Sequence, residues 1–298
     1  MRATIAAERR ALRAARPRNP ARAWVHAGRI LLLVVGAAGF LVPFLWMVDT
    51  ALKTTAQTFH IPPVFLPHPL ILSNFTKGWT VLPFSHYLVN TVFLVCVNLV
   101  GTLVSSTLVA FSFSRLRWRG RDTLFFLVLS TLMLPYVVTL VPSFIIFHWL
   151  HWVNTFLPLT VPSFFATNPF NIFLLRQYFL TIPRELDEAA RLDGASSIWL
   201  LTRVIVPLSS PALGAVVIFS FTATWNDFVG PLIYLGKPAL YTLALGLQQL
   251  QGYSPGGLVT PWNTLMAVAL LVMLPCIVLF FLAQRQFIQG INLSGVER

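Results

Sequence analysis

Long stretches of the chain carry no charged residue, among them 30–48, 87–114, 123–175 and 204–226. A membrane span needs roughly 20 such residues, at about 1.5 Å of helical rise each, to cross about 30 Å of hydrocarbon. Transmembrane β-strands would instead be short and alternate at every second residue, which these stretches do not. The pattern predicts an all-α, polytopic membrane helix bundle with six spans, at about 30–48, 87–112, 123–147, 156–175, 208–227 and 264–283. The uncharged run 123–175 is long enough for two helices, and its natural break is 148–155, which carries two His, two Trp and an Asn. The fourth span contains Pro158, Pro162 and Pro169. Each removes a backbone donor, so this span is expected to pack inside the bundle, where neighbours can satisfy the freed carbonyls.

Composition sharpens the class. Of 298 residues, 56% are hydrophobic and 10% charged, against about 25% charged in an ordinary soluble domain. The 21 Lys and Arg are unevenly placed: eight before residue 30, four in 115–121, four in 176–203, then Arg285 and Arg298. With six spans these all fall on one side, and Lys53, Lys77 and Lys237 fall on the other. The positive-inside rule then places both termini in the cytoplasm of a bacterial inner membrane protein. The net charge of +12 reads as topology plus attraction to anionic lipid. No nucleic-acid fold accompanies the Arg-rich tail. The basic start is too long for a signal peptide and its apolar run exceeds the usual 7–15 residues, which predicts an uncleaved anchor. Cys96 and Cys276 fall inside spans and are read as small buried hydrophobes, not as a disulfide or a metal site.

Several chemistries are excluded. No G-x-x-x-x-G-K-[ST] loop occurs, so the chain has no Walker site of its own. Neither G-x-S-x-G nor H-E-x-x-H is present. His148 and His151, beside Trp149 and Trp152, fit an interfacial aromatic belt better than a metal site. Asp227 is the single ionisable candidate within a span, where an ion-coupled carrier would show more. A secondary carrier or channel is therefore the weaker alternative, and any transport energy comes from another subunit.

Four of the nine acidic residues, Glu185, Asp187, Glu188 and Asp193, sit in one loop between the fourth and fifth spans. Pro183 suits the first turn of a helix, and the carboxylates after it complement the positive end of the helix dipole. Leu186, Ala189 and Ala190 recur at i, i+3 and i+4, giving one apolar face. Asp193-Gly194 stops that helix, with Gly194 supplying a left-handed conformation. Ser196 or Ser197 caps a second helix, and Pro207 and Pro211 lead into the fifth span. The prediction is a helix–turn–helix at the membrane surface.

This loop resembles the signature of ABC-importer permeases: E-A-A, three residues, Gly, nine residues, then I-x-L-P. The chain offers Glu188-Ala189-Ala190, Gly194 and Val204-Ile205-Val206-Pro207 at matching spacing, with Val in place of Ile and Leu. Asn90-Thr91, residues 110–116, Trp225-Asn226-Asp227-Phe228, residues 241–247 and residues 284–290 are similar to the carbohydrate-uptake branch, and to the smaller six-span permease of maltose-type systems. The resemblance implies a type I importer fold with a basic cytoplasmic tail (1–29), a first span and outer loop (30–84), a transmembrane core (85–284) and a cytoplasmic tail (285–298). Within the core, 176–207 would couple to an ATPase through Glu185, Glu188, Ala189, Ala190, Asp193, Gly194 and Pro207. It implies a second, non-identical permease subunit, an ABC ATPase dimer and an extracytoplasmic solute-binding protein as partners. ATP and Mg would reside on the ATPase, with no cofactor on this chain. Trp225 and Asn226 offer an aromatic face and an amide to a polyhydroxylated solute; an interfacial Trp and a helix-packing Asn are the competing reading.

Overall fold

The computed structural model describes residues 20–252 and 261–292; the basic tail before residue 20 and the last six residues lie outside them. In chain order the main helices are α1 Pro20–Ala51, α2 Phe84–Arg115, α3 Arg121–Ser130, α4 Tyr136–Trp149, α5 Pro169–Thr181, α6 Glu185–Leu192, α7 Ser210–Trp225, α8 Leu243–Gly252 and α9 Trp262–Asn292, with shorter helical turns between them. No strand occurs among the described residues.

Of the six spans expected from hydropathy, three are single long helices and the others are bent or interrupted. Three helices are long and apolar enough to cross a membrane, within α1 (Gly28–Ala51), α2 and α9 (Trp262–Leu282); two bent pairs bring the total to five if each counts as one. The expected third span is one of these pairs, broken between Met133 and Tyr136 by 102°. Leu134 lies in the extended region (φ −79°, ψ 115°) because the ring of Pro135 disfavours a helical conformation for the residue before it. The expected fourth span, 156–175, is not one helix. A turn at Leu157–Thr160, a 3₁₀ segment at Val161–Phe165 and α5 each have a proline at their first or second position. Proline is preorganised for a helix start and harmful to a helix interior, so three prolines begin three elements here.

The expectation that this region is internal holds on one side only: Ile172 and Leu175 are buried, while Phe164, Phe165 and Phe170 are exposed. Ser105 on α2 donates its hydroxyl to Ser163 O at 2.8 Å, tying the proline-rich segment to a neighbouring helix. The approach is close enough to require Gly101, where a Cβ would stand 2.2 Å from Ser163 Oγ and 2.9 Å from the Phe164 ring. Gly101→Val is therefore expected to push the 3₁₀ segment off α2 and cost about 1–3 kcal/mol of overpacking. A lower melting temperature of the detergent-solubilised protein would register it; an unchanged melting curve would show that this packing is loose.

Two buried clusters lie along α2. Toward its Phe84 end, Phe84, Tyr87, Val95, Trp225, Leu243, Leu250, Leu265 and Val268 pack together. Toward its Arg115 end, Ala110, Phe111, Phe113, Phe125, Ile172, Leu175, Phe179, Ala190, Leu200, Ile205 and Val216 form the second. The loop carrying Ala190 is thus continuous with the bundle core. At the first end, Asn90 donates to Ala239 O (3.0 Å) and Tyr241 O (2.9 Å), and Thr91 Oγ1 accepts from Leu243 N (2.9 Å). Two short motifs some 150 residues apart are therefore halves of one hydrogen-bonded junction.

Two expectations about individual residues change, and one residue gains a buried partner. Cys96 is exposed and Cys276 half-buried, both free; in a membrane protein an outward apolar side chain meets hydrocarbon, so nothing drives it inward. Lys53, read as an outer cation, is 2% exposed. It is paired with Asp49 one turn earlier and lies 4.9 Å from the centre of the Trp46 ring. Pro183 precedes the N-cap residue of α6, Arg184, instead of lying in its first turn.

Candidate functional site

The acidic loop folds as a helix, a tight turn and a second helix. In α6 the first turn holds Glu185, Asp187 and Glu188 and the last holds Arg191, both signs favourable to the helix dipole. The helix ends in a Schellman motif: Gly194 N–H reaches Arg191 O at 3.0 Å and Ala195 N–H reaches Ala190 O at 2.9 Å. Asp193 is the C-cap, and Gly194 takes φ +80° as expected. Open space surrounds the position of a Gly194 Cβ, so glycine is required there by backbone conformation and not by crowding. Ser196 then caps the second helix, its Oγ accepting from Trp199 N at 3.2 Å. Ser197–Leu200 runs into a π-helical segment at Leu201–Ile205, whose wider turn directly precedes Val206–Leu208 and Pro207. Proline brings no N–H for an i→i−4 bond, and a π turn is one way to absorb the mismatch. After Ser209 the chain bends by 81° into α7.

Which face of α6 points inward differs from the sequence expectation. Ala190 is buried, but Leu186 and Ala189 are exposed, and the second inward residue is Asp187. Arg115 is the reason. Its guanidinium, with 1% of the side chain exposed, donates to Asp187 Oδ2 at 3.1 Å, to Ile182 O at 2.8 Å and to Phe179 O. The residue four beyond Phe179 is Pro183, which has no N–H to offer, so the arginine supplies a donor at the end of α5. One side chain thus joins the last residue of α2, the C-terminus of α5 and the inner face of α6. Arg115 was read as a loop cation and Asp187 as one acid among four; 72 residues separate them, and no local spacing signals the pair.

The outward face of the loop is left with carboxylates and apolar groups side by side. Glu185, Glu188 and Ala189 are exposed, as are Leu186 (41%), Ile198 (72%) and Trp199 (49%). Unpaired acids beside exposed apolar surface, held on a rigidly anchored two-helix unit, form a surface suited to docking.

The other candidate residues lie far along the bundle. Trp225 is 4% exposed, stacks on Phe221 and donates its indole N–H to Val272 O at 3.0 Å. Asn226 caps α7, is exposed, and gives its amide to Thr222 O at 2.9 Å. Trp225 therefore acts as a helix-packing residue in this conformation, and Asn226 is the one of the two that faces outward. Asp227 accepts from Gly230 N at 3.1 Å and so starts the short helix Val229–Tyr234. No group of three or more His, Cys, Asp or Glu among the described residues is placed to hold a metal; His148 stacks on Phe144.

Residues 103–293 match the family model described as the binding-protein-dependent transport system inner membrane component. The chain is 34% identical over 255 residues to the probable ABC transporter permease protein YurM of Bacillus subtilis, covering 86% of this chain and 83% of that one. It is 31% identical over 278 residues to the trehalose/maltose transport system permease protein MalG of Thermococcus litoralis, covering 90% and 96%. Among solved structures, a bacterial ABC transporter involved in import of the acidic polysaccharide alginate contains a chain of the same fold, with a TM-score of 0.78 at 22% identity over 91% of this chain and 98% of that one.

Proposed function

The chain belongs to the family of binding-protein-dependent transport system inner membrane components, and from that premise we propose that it forms half of the translocation pathway of an ATP-driven importer for a carbohydrate or a related small polar solute. The other half is a second, non-identical permease subunit. Hydrolysis occurs on an ABC ATPase dimer that holds ATP and Mg, and a solute-binding protein delivers the cargo. This chain carries no covalent chemistry. The carbohydrate assignment draws on the relatives, one of which is named for trehalose and maltose.

The observation that carries the coupling role is the anchored loop. Glu185, Glu188 and Ala189 face outward on a helix whose inner face is fastened to α2 and α5 through Arg115. A partner that grips the outer face and moves would drag these two bundle helices with it. Gly194 and the π segment before Pro207 set the shape of that lever. Asn226, exposed in this conformation, is the proposed pathway contact, and Trp225 would join it only where α7 and α9 separate.

Two measurements test the proposal. Purified alone, the chain is expected to neither hydrolyse ATP nor move solute; co-expressed with its cognate subunits it should pull them down and support ATPase activity stimulated by loaded binding protein. Solute flux by the isolated chain under an ion gradient would point to a carrier. For orientation, the two native cysteines are first replaced. A cysteine at Thr55 should then react with an impermeant maleimide on intact cells, and one at Ser197 only after lysis. Labelling of Ser197 from outside would reverse the topology and remove the loop from the ATPase side.

A further inference from the structure

Where the chain leaves α2 for α3, a cleft of about 540 Å³ opens between the connecting turn and the start of α6, lined by Arg117, Trp118, Arg121, Asp122 and Arg184. Three guanidinium groups and one carboxylate, Asp122, line it, and Arg176 Nη2 lies 3.9 Å from Asp122 Oδ1. Arg121 holds that carboxylate through Nε–Oδ1 (2.9 Å) and Nη2–Oδ2 (3.3 Å). The guanidinium groups of Arg117 and Arg184 make no hydrogen bond or ion pair with any described residue. The cleft also receives the start of α3. The first helical bond of α3 is Leu124 N to Gly120 O, so the N–H groups of residues 121–123 have no partner within the helix. An excess of positive charge, planar donors suited to phosphate oxygens and spare backbone donors make this a site for a phosphate-bearing anion.

What surrounds the cleft identifies the bearer. The helix that begins in it turns Leu124, Phe126 and Leu127 outward at 49%, 69% and 57% exposure, and Trp118 stands at its rim with 37% exposed. A phosphate bound here has a continuous apolar flank beside it, and an indole where the polar and apolar zones meet. A soluble phosphate has no use for such a flank, whereas a phospholipid would lay its acyl chains along it. We infer that this cleft binds the headgroup phosphate of an anionic phospholipid, with Arg117 and Arg184 as its principal contacts. Basic pockets between spans are a recurring form of such sites. The inference needs only that the chain lies in a membrane, and it stands or falls separately from the transport reading.

The test uses the complete transporter, purified in mild detergent with its partner subunits and exposed to equimolar phosphatidylglycerol and phosphatidylcholine. Native mass spectrometry then counts retained lipid. Phosphatidylglycerol should be retained in preference, and Arg117→Gln and Arg184→Gln should each lower that preference by roughly fivefold. The Lys variants at both positions keep the charge and should retain most of it. Both residues are exposed, so the variants are expected to fold, and recovery of the intact complex checks this. Equal retention of the two lipids, or Gln variants that bind like the wild type, would overturn the inference. Displacement of phosphatidylglycerol by excess inorganic phosphate would make the site one for free phosphate and overturn it too. Retention only when the ATPase subunits are left out would assign the cleft to that protein instead.

Discussion

Gly194→Val should abolish solute uptake while leaving the protein in the membrane. The residue closes α6 at φ +80°, in a Schellman turn whose two bonds come from Gly194 and Ala195. A β-branched side chain in that conformation costs roughly 1–3 kcal/mol. No atom lies near the new Cβ, so neither packing loss nor clash adds to the strain. The cost falls on one turn outside the bundle, and the cheapest relief is to unwind it and re-aim the exposed face of α6. Membrane levels should therefore hold while coupling fails. Glu188→Lys is expected to give the same phenotype by a different cause, a cation on the outward face in place of a carboxylate, whereas Arg203→Lys should be nearly silent. The assay is solute uptake beside crosslinking of a cysteine at Ala189, which is exposed, to the ATPase. Wild-type uptake and crosslinking in both Gly194→Val and Glu188→Lys would reduce this loop to an ordinary connector.

Arg115→Leu should have the larger effect on stability. It leaves the Asp187 carboxylate buried with no cation and removes a donor from both Phe179 O and Ile182 O. Breaking a buried ion pair by removing one partner costs roughly 3–5 kcal/mol. Asp187→Leu should be milder, because the guanidinium keeps two carbonyl acceptors. The double variant should recover part of the Arg115→Leu loss, since no charge is then stranded, but not all of it, since Ile182 O still lacks its donor. Melting temperatures of the purified complex give this order directly. Simple additivity in the double would mean that the residues do not act as a pair, and equal effects of the two single variants would mean that the carbonyl contacts of Arg115 add little. Asp187→Leu is informative about mechanism as well: it frees the lever while keeping the α2–α5 junction. ATP hydrolysis that continues while uptake falls is the expected signature.

Much of this protein is legible in one dimension, for identifiable physical reasons. Long uncharged runs report a hydrocarbon surrounding because burial in lipid does not require a charged shell. The acidic loop is legible because its turn is local: Gly194, the Ser196 cap and the acids of the first helical turn are specified by neighbours within a few residues. What hydropathy does not report is continuity. It treats 123–147 and 156–175 as spans because an apolar run looks the same whether or not the backbone bends. Pro135 and the three prolines of 158–169 decide that, and the structure turns each into a beginning.

Direction is the other quantity that sequence leaves undetermined. Periodicity favours Leu186, Ala189 and Ala190 as the inner face of α6, because apolar residues normally turn inward. The structure turns Asp187 inward instead, since a buried guanidinium from α2 offers it an ion pair that no apolar neighbour can match. Lys53 is drawn in by Asp49 for the same kind of reason, and Cys96 turns outward because nothing penalises it there. The sequence by itself therefore determined the environment, the helical class and the turn at Gly194. Only the tertiary structure decided which face looks in, and that Arg115 ties three elements together. Those depend on partners brought close by folding across separations such as the 72 residues between Arg115 and Asp187, and no local pattern encodes them.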